Sequence, residues 1–112
     1  MQKTSNGISI FLDDLRTPPP DSDYLVVKTA EEAIYLIENM KVTFISFDHD
    51  LGPGLSGHDV AKRIEELVYE GRIQCPKWTV HSANPVGRRN IKAAMESAER
   101  LQCKRLGDGN DI

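Results

Sequence analysis

Three short stretches of the chain end in side chains able to do chemistry: Asp13-Asp14, Asp48-His49-Asp50 and His81-Ser82. Carboxylates brought within a few ångströms repel each other strongly in a poorly solvated cleft. Either one takes a proton or a cation sits among them, and a hard divalent ion such as Mg²⁺ suits an all-oxygen set best. Asp13, Asp14, Asp48 and Asp50 are therefore the candidate metal ligands, against the plainer reading that they cap turns. On an extended strand residues i and i+2 share a face, so Asp48 and Asp50 are expected to look one way and His49 the other. Histidine exchanges protons near neutral pH, which makes His49 and His81, with Asp48, candidates for catalysis beside a phosphoryl group, one as base and one as acid. His58 reads as a surface or internally satisfied residue. Arg88 and Arg89 lie in the first turns of an expected helix, where cations oppose the helix dipole unless an anion is bound there. Free N–H groups and an arginine fork make a phosphate site, with Ser82 and Asn84 beside it and Gly87 and Asn90 keeping the surroundings open and polar.

The elements around these residues follow from pattern. Ile8–Leu12 is a β-rich run that stops at the acidic pair, and Tyr24–Val27 is a second strand. Thr29-Ala30-Glu31-Glu32 has the form of a capping box and opens a helix ending near Met40, with Ala30, Ala33, Ile34, Ile37 and Met40 on one face. Val42–Phe47 is a third strand, and Leu51-Gly52-Pro53-Gly54-Leu55 is a loop. The stretch Ser56–Asp59 starts a second helix that runs to Glu70 and buries Val60, Ala61, Ile64, Leu67 and Val68, with Gly71 as its stop. Pro76–Val80 is a fourth strand. Asn84-Pro85 caps a third helix that ends near Leu101 and buries Ile91, Ala94, Met95, Ala98 and Leu101. Cys103–Ile112 is read as a tail, with a short edge strand as one option. Trp78 and Tyr24 are read as core rather than as base-stacking groups.

Strands alternating with helices imply an α/β fold with a mostly parallel sheet. Ligands of such sheets bind outside the carboxyl ends of the strands, where all three chemically able stretches fall. One connection is unusual: residues 15–23 join the first two strands, and they are proline-rich. A parallel crossover ordinarily needs a dozen residues or more, so either an extended loop replaces a helix or the second strand is antiparallel.

Composition narrows the classes. The 112 residues are expected to form one domain, with a core over about 8–102 and a tail over 103–112. Hydrophobic residues at 39% and charged residues at 28% exclude wholesale disorder. Fourteen basic against seventeen acidic residues give a net charge of −3, which argues against duplex DNA held on a broad basic surface. No apolar run approaches a membrane span and Met1–Gly7 has no leader-like apolar stretch, so no membrane is expected as a partner and the location expected is cytoplasmic. Cys75 and Cys103 lie far apart and are read as reduced thiols.

The blocks Phe11-Leu12-Asp13-Asp14-Leu15-Arg16, Ile45-Ser46-Phe47-Asp48-His49-Asp50-Leu51-Gly52 and His81-Ser82-Ala83-Asn84-Pro85-Val86-Gly87-Arg88, in that order, resemble the cyclic-phosphate processing receiver-like family, a divergent relative of response-regulator receiver domains. The resemblance covers roughly residues 8–95. It implies a receiver-like, flavodoxin-like three-layer sandwich with a mostly parallel four- to five-stranded sheet, the first helix replaced by the proline-rich loop. It also implies that Asp13 and Asp14 match the acidic pair that holds Mg²⁺. Asp48 matches the phosphorylated aspartate, Asp50 lies near the position that offers a backbone carbonyl to the metal, Ser82-Ala83 matches the phosphoryl-contacting step, and Gly57 matches the glycine that opens the next helix. The departures are a missing final strand ending in Lys-Pro, for which Lys104 is a poor substitute, the loss of the first helix, and the added His49 and His81. The function expected is a metal-dependent phosphoesterase acting on a cyclic phosphate, such as the 2′,3′ end of an RNA or a nucleotide. The alternatives are a phosphoacceptor switch using Asp48, and a non-catalytic module that binds a phosphorylated small ligand or a protein partner.

Overall fold

The computed structural model describes residues 7–110, with side chains to residue 104. The amino-terminal stretch expected to lack a leader, residues 1–6, and the last two residues of the tail lie outside the described residues. The elements run β1 (Ile8–Leu12), β2 (Leu25–Val27), α1 (Ala30–Asn39), β3 (Val42–Phe47), α2 (Gly57–Tyr69), β4 (Lys77–Val80) and α3 (Pro85–Asn110). All four strands are parallel, in the order β2-β1-β3-β4. The antiparallel option for β2 is therefore set aside: the proline-rich segment makes the crossover without a helix.

Side chains alternate across the sheet. Ile10, Leu12, Ile45 and Phe47 are fully buried and join Val60, Ile64, Leu67, Ile91 and Met95 in the core. Burying each such side chain contributes roughly 1.5–3 kcal/mol relative to leaving it exposed. The helices pack on one another in chain order, α1 on α2 and α2 on α3. The other sheet face carries Phe11, Phe44 and Ser46. There the proline-rich segment takes the place of a helical layer, laying Tyr24 edge-on to Phe11 (ring centroids 5.5 Å apart) and tilted against Phe44.

Local chemistry accounts for the helix starts. Thr29 accepts the Glu32 N–H at α1, and the Ser56 N–H donates to Asp59 at α2. The buried stripe of α2 is Val60, Ala61, Ile64, Leu67 and Val68, as the 3.6-residue period demands, and Gly71 leaves the helix with φ of 75°. The tail departs from expectation. Residues 102–110 continue α3 instead of ending it or adding an edge strand. Gln102, Lys104 and Arg105 are good helix formers with no proline among them, and the helix is docked beside β4: Gln102 accepts the Cys75 N–H and Glu99 accepts from the Trp78 indole. The sheet accordingly has four strands among the described residues, and Lys104 is an exposed helical residue rather than the end of a strand. Cys75 and Cys103 are free, and burial, with a smaller effect from Glu99, pushes the Cys75 thiol up to about 11.

Candidate functional site

The hydrogen-bond ladder runs one step beyond the strands. Asp13 N–H donates to Val27 O, Asp48 N–H to Leu12 O and His81 N–H to Phe47 O, at 2.9–3.0 Å. Residues 13, 48 and 81, distant in sequence, thus form one row across the carboxyl edge of the sheet. By strand alternation this row faces the same side as Phe11 and Ser46. His81 shows it: its ring stacks on Phe11 at 4.5 Å and 6° and bonds Ser46 Oγ through Nδ1 at 2.7 Å.

Asp13, Asp14 and Asp48 bring carboxylate oxygens within 4.8 Å of one another. Asp13 is 1% exposed and fully engaged: Oδ1 accepts from the N–H groups of Leu15 and Arg16, and Oδ2 meets His81 Nε2, each at 2.8 Å. Burial alone would raise its pKa, but these donors outweigh it and hold the carboxyl below its ordinary value. Asp48 is buried and accepts one bond, from His49 N–H to Oδ1. Asp14 is half-buried, and its carboxylate has no hydrogen-bond partner among the described residues. An all-oxygen set with open oxygens on two members is the donor chemistry of a hard divalent cation, and nothing in the set favours a softer metal. Two cavities of ≈ 600 and ≈ 560 Å³ occur elsewhere, one beside α2 and the other at the amino-terminal edge of the sheet, and none of the three aspartates lines them.

Other expected site residues are placed differently. Asp50 does not join the cluster. β3 has ended at Phe47, so the i, i+2 alternation no longer holds, and the exposed Asp50 carboxylate turns to His49 Nδ1 at 2.9 Å and to the Asn84 amide. The bond from His49, helped by Asn84, holds the Asp50 carboxyl below its ordinary value. His49 packs against the start of α3, and its Nε2 has no partner among the described residues. His81 differs, because both ring nitrogens are engaged. His58 lies near His49, and burial and Lys62 hold it below the usual histidine range.

The start of α3 is also closed to the backbone donation expected of it. Asn84 Oδ1 accepts the N–H groups of Val86 and Gly87 at 3.0 Å, and Asn84 O accepts that of Arg88. Pro85 has no N–H, so the first turn offers an incoming anion no open donor. Ser82 is buried and its Oγ accepts the Asn84 N–H; the hydroxyl proton goes to no described residue. Arg88 and Arg89 are exposed and form no ion pair among the described residues.

Ser46, Arg16, Gly57 and Gly87 complete the site, the first two with no role expected from the sequence. Ser46 holds the His81 ring. Arg16 donates to His81 O at 2.8 Å and stands 4.0 Å from Asp13 Oδ2. Gly57 and Gly87 make room: a Cβ at residue 57 would fall 1.9 Å from Asp48 O, and one at residue 87 would fall 2.3 Å from His49 Cγ. The Gly57 N–H bonds His49 O, so α2 begins directly against the backbone that carries Asp48. The alternation of β3 could have revealed Ser46, and the Asp-x-x-Arg spacing could have revealed Arg16 as a partner of the turn at Asp13.

A parallel sheet of order β2-β1-β3-β4 with an aspartate cluster at its carboxyl edge defines a receiver-like domain. The family described as cyclic-phosphate processing receiver domain matches residues 8–97. The chain belongs to that family, which links it to cyclic-phosphate processing. The comparisons with curated proteins and with solved structures found no match. No helix among the described residues is long and apolar enough to cross a membrane.

Proposed function

We propose that this domain hydrolyses a cyclic phosphodiester, of the 2′,3′ kind carried by an RNA end or a nucleotide, at the edge formed by Asp13, Asp14, Asp48 and His49. The observation that carries the reading is an oxygen-only aspartate cluster next in sequence to a histidine whose backbone N–H bonds Asp48 and whose ring has one engaged and one open nitrogen. Asp14 and the free oxygen of Asp48 would hold a divalent cation, Mg²⁺ or another hard ion, with Asp13 as the rigid third member. When bound, such an ion neutralises charge on a phosphoryl oxygen.

His49 carries the proton. Asp50, bonded to Nδ1, fixes the tautomer that leaves Nε2 as acceptor and steadies the imidazolium that forms. The oxygen of water bonds to phosphorus while its proton passes to Nε2. The bond from phosphorus to one ribose oxygen breaks, and His49 returns the proton to that oxygen. His81, with no open nitrogen, acts as a positioning residue that holds the Asp13 carboxylate. The Ser82 hydroxyl is a donor for a phosphoryl oxygen. Arg88 and Arg89 contribute side-chain charge rather than helix N–H groups. The switch reading loses its lysine contact, because Lys104 sits on α3.

The test is ³¹P NMR of a nucleoside 2′,3′-cyclic phosphate mixed with purified protein and Mg²⁺. The expected result is conversion to a monoester, abolished by a chelator and slowed roughly 10²-fold or more in His49→Ala. No turnover with any common divalent ion would overturn the reading, and tight binding in its place would leave a binding module. Unchanged turnover in His49→Ala would remove that residue from the mechanism.

A further inference from the structure

We infer that Arg16 is the anchor for the ligand's phosphoryl group, an assignment that rests on the proposed reading of the aspartate cluster and adds a phosphate contact to it. Arg16 leaves the turn built on Asp13, where its own N–H is bonded to the buried carboxylate. Its Nη1 then donates to the backbone carbonyl of His81 at the end of β4. β1 and β4 are not neighbours, since β3 lies between them, so the side chain crosses the tip of β3, where Asp48 stands. His81 makes the opposite crossing, sending its ring to Asp13. The two side chains form a reciprocal latch over the edge of the sheet.

The latch uses little of the guanidinium. Arg16 is 52% exposed, and Nε and Nη2 have no partner among the described residues, so a fork of donors stays open beside the cluster. Charge shows why a fork is needed. The three aspartates contribute −3 and a divalent ion +2, which leaves a net −1 facing an anion. One arginine in contact with the cluster brings that sum to zero. Among the described residues Arg16 is the one arginine or lysine within ion-pair distance of any of the three aspartates. Arg88 and Arg89 have no contact that ties them there, and the helix donors beside them are taken. Two parallel N–H groups match the two non-bridging oxygens of a phosphodiester, which a lysine cannot reproduce.

Calorimetric titration of inorganic phosphate into the Mg²⁺-loaded protein tests the assignment, with Mg²⁺ affinity and hydrolysis of 2′,3′-cyclic AMP measured separately. Arg16→Gln keeps an amide donor for the His81 carbonyl and loses the charge and the fork. It should bind phosphate roughly tenfold or more weaker, while Mg²⁺ binds equally well or tighter. Arg16→Lys, which restores charge alone and stands in if the glutamine variant does not fold, should recover only part of the affinity. Phosphate binding by Arg16→Gln equal to that of the unmodified protein would overturn the assignment, and so would an unmodified protein that binds no phosphate with Mg²⁺ present. If phosphate binding depends on Arg16 and the cyclic nucleotide is not hydrolysed, the anchor stands and the phosphoesterase reading falls.

Discussion

Replacing Asp48 with asparagine should strengthen the metal-free protein and make it indifferent to magnesium. Asp48 is 8% exposed, and its carboxylate lies within 4.8 Å of oxygens from both Asp13 and Asp14. Two unit charges at that separation repel by roughly 3 kcal/mol at an effective dielectric constant of about 20. Asp14 is half in water and the Asp13 charge is offset in part by its three donors, so both repulsions are weakened and the relief from neutralising Asp48 is about 1–3 kcal/mol over the two pairs. Asparagine keeps the shape of the side chain and an oxygen to accept the His49 N–H, and its amide gains a donor for Asp14. Little is lost against the gain. In a domain of this size about 1 kcal/mol moves the melting temperature by roughly 4–6 °C, so metal-free Asp48→Asn should melt about 4–18 °C higher. Scanning calorimetry in chelator, and then across a magnesium series, checks both parts. The unmodified protein should gain stability with the logarithm of magnesium concentration above its dissociation constant, and the variant should stay flat. A metal-free variant that melts lower, or a variant that responds to magnesium as the parent does, would refute the argument that these carboxylates form a repelling, cation-seeking cluster.

Two further outcomes follow from the packing and charges around the same edge. Gly57→Ala should destabilise the fold by about 2–3 kcal/mol in urea denaturation, because its Cβ would meet the Asp48 carbonyl at 1.9 Å. Alanine ordinarily favours a helix over glycine by about 1 kcal/mol, so a stabilised variant would show that the close approach of α2 to Asp48 does not exist. The acid limb of stability should depend on Asp13. Burial opposes its ionisation, yet the N–H groups of Arg16 and Leu15, with His81, hold its pKa below 3.8. A depressed carboxyl contributes stability above its unfolded value, and that contribution is lost as pH falls through the folded value. Asp13→Asn should therefore be less stable than the parent at neutral pH, with the difference shrinking as pH drops below 3.8, as followed by circular dichroism. A constant difference at every pH would show that ionisation of Asp13 contributes nothing.

Much of the framework was legible in the residues alone, because the signals are local. Buried parallel strands are short β-rich runs, and Ile8–Leu12 and Val42–Phe47 both stop where acid begins. Thr29, Ser56 and Asn84 are short-range caps, so three helix starts could be read without knowing the fold. The convergence of Asp13, Asp14 and Asp48 followed from their places at strand ends. The far end of α3 was not legible: whether residues after Leu101 add a strand or extend a helix depends on what docks beside β4, and there Glu99 and Gln102 meet Trp78 and Cys75.

The fine assignment of roles belongs to the tertiary structure for the same physical reason. Sequence determined which residue types stand at the tips of the strands, since each tip is set by its own few neighbours. Only the packed sheet decided which of their atoms remain open. A row register joining residues 13, 48 and 81 closes both nitrogens of His81 between Ser46 and Asp13, and the end of β3 frees Asp50 to take His49. One asparagine consumes the donors at the start of α3, while Arg16 is drawn across the tip of β3. Hydrogen-bond capacity is finite, and which partners use it up is settled by contacts between residues up to 68 positions apart.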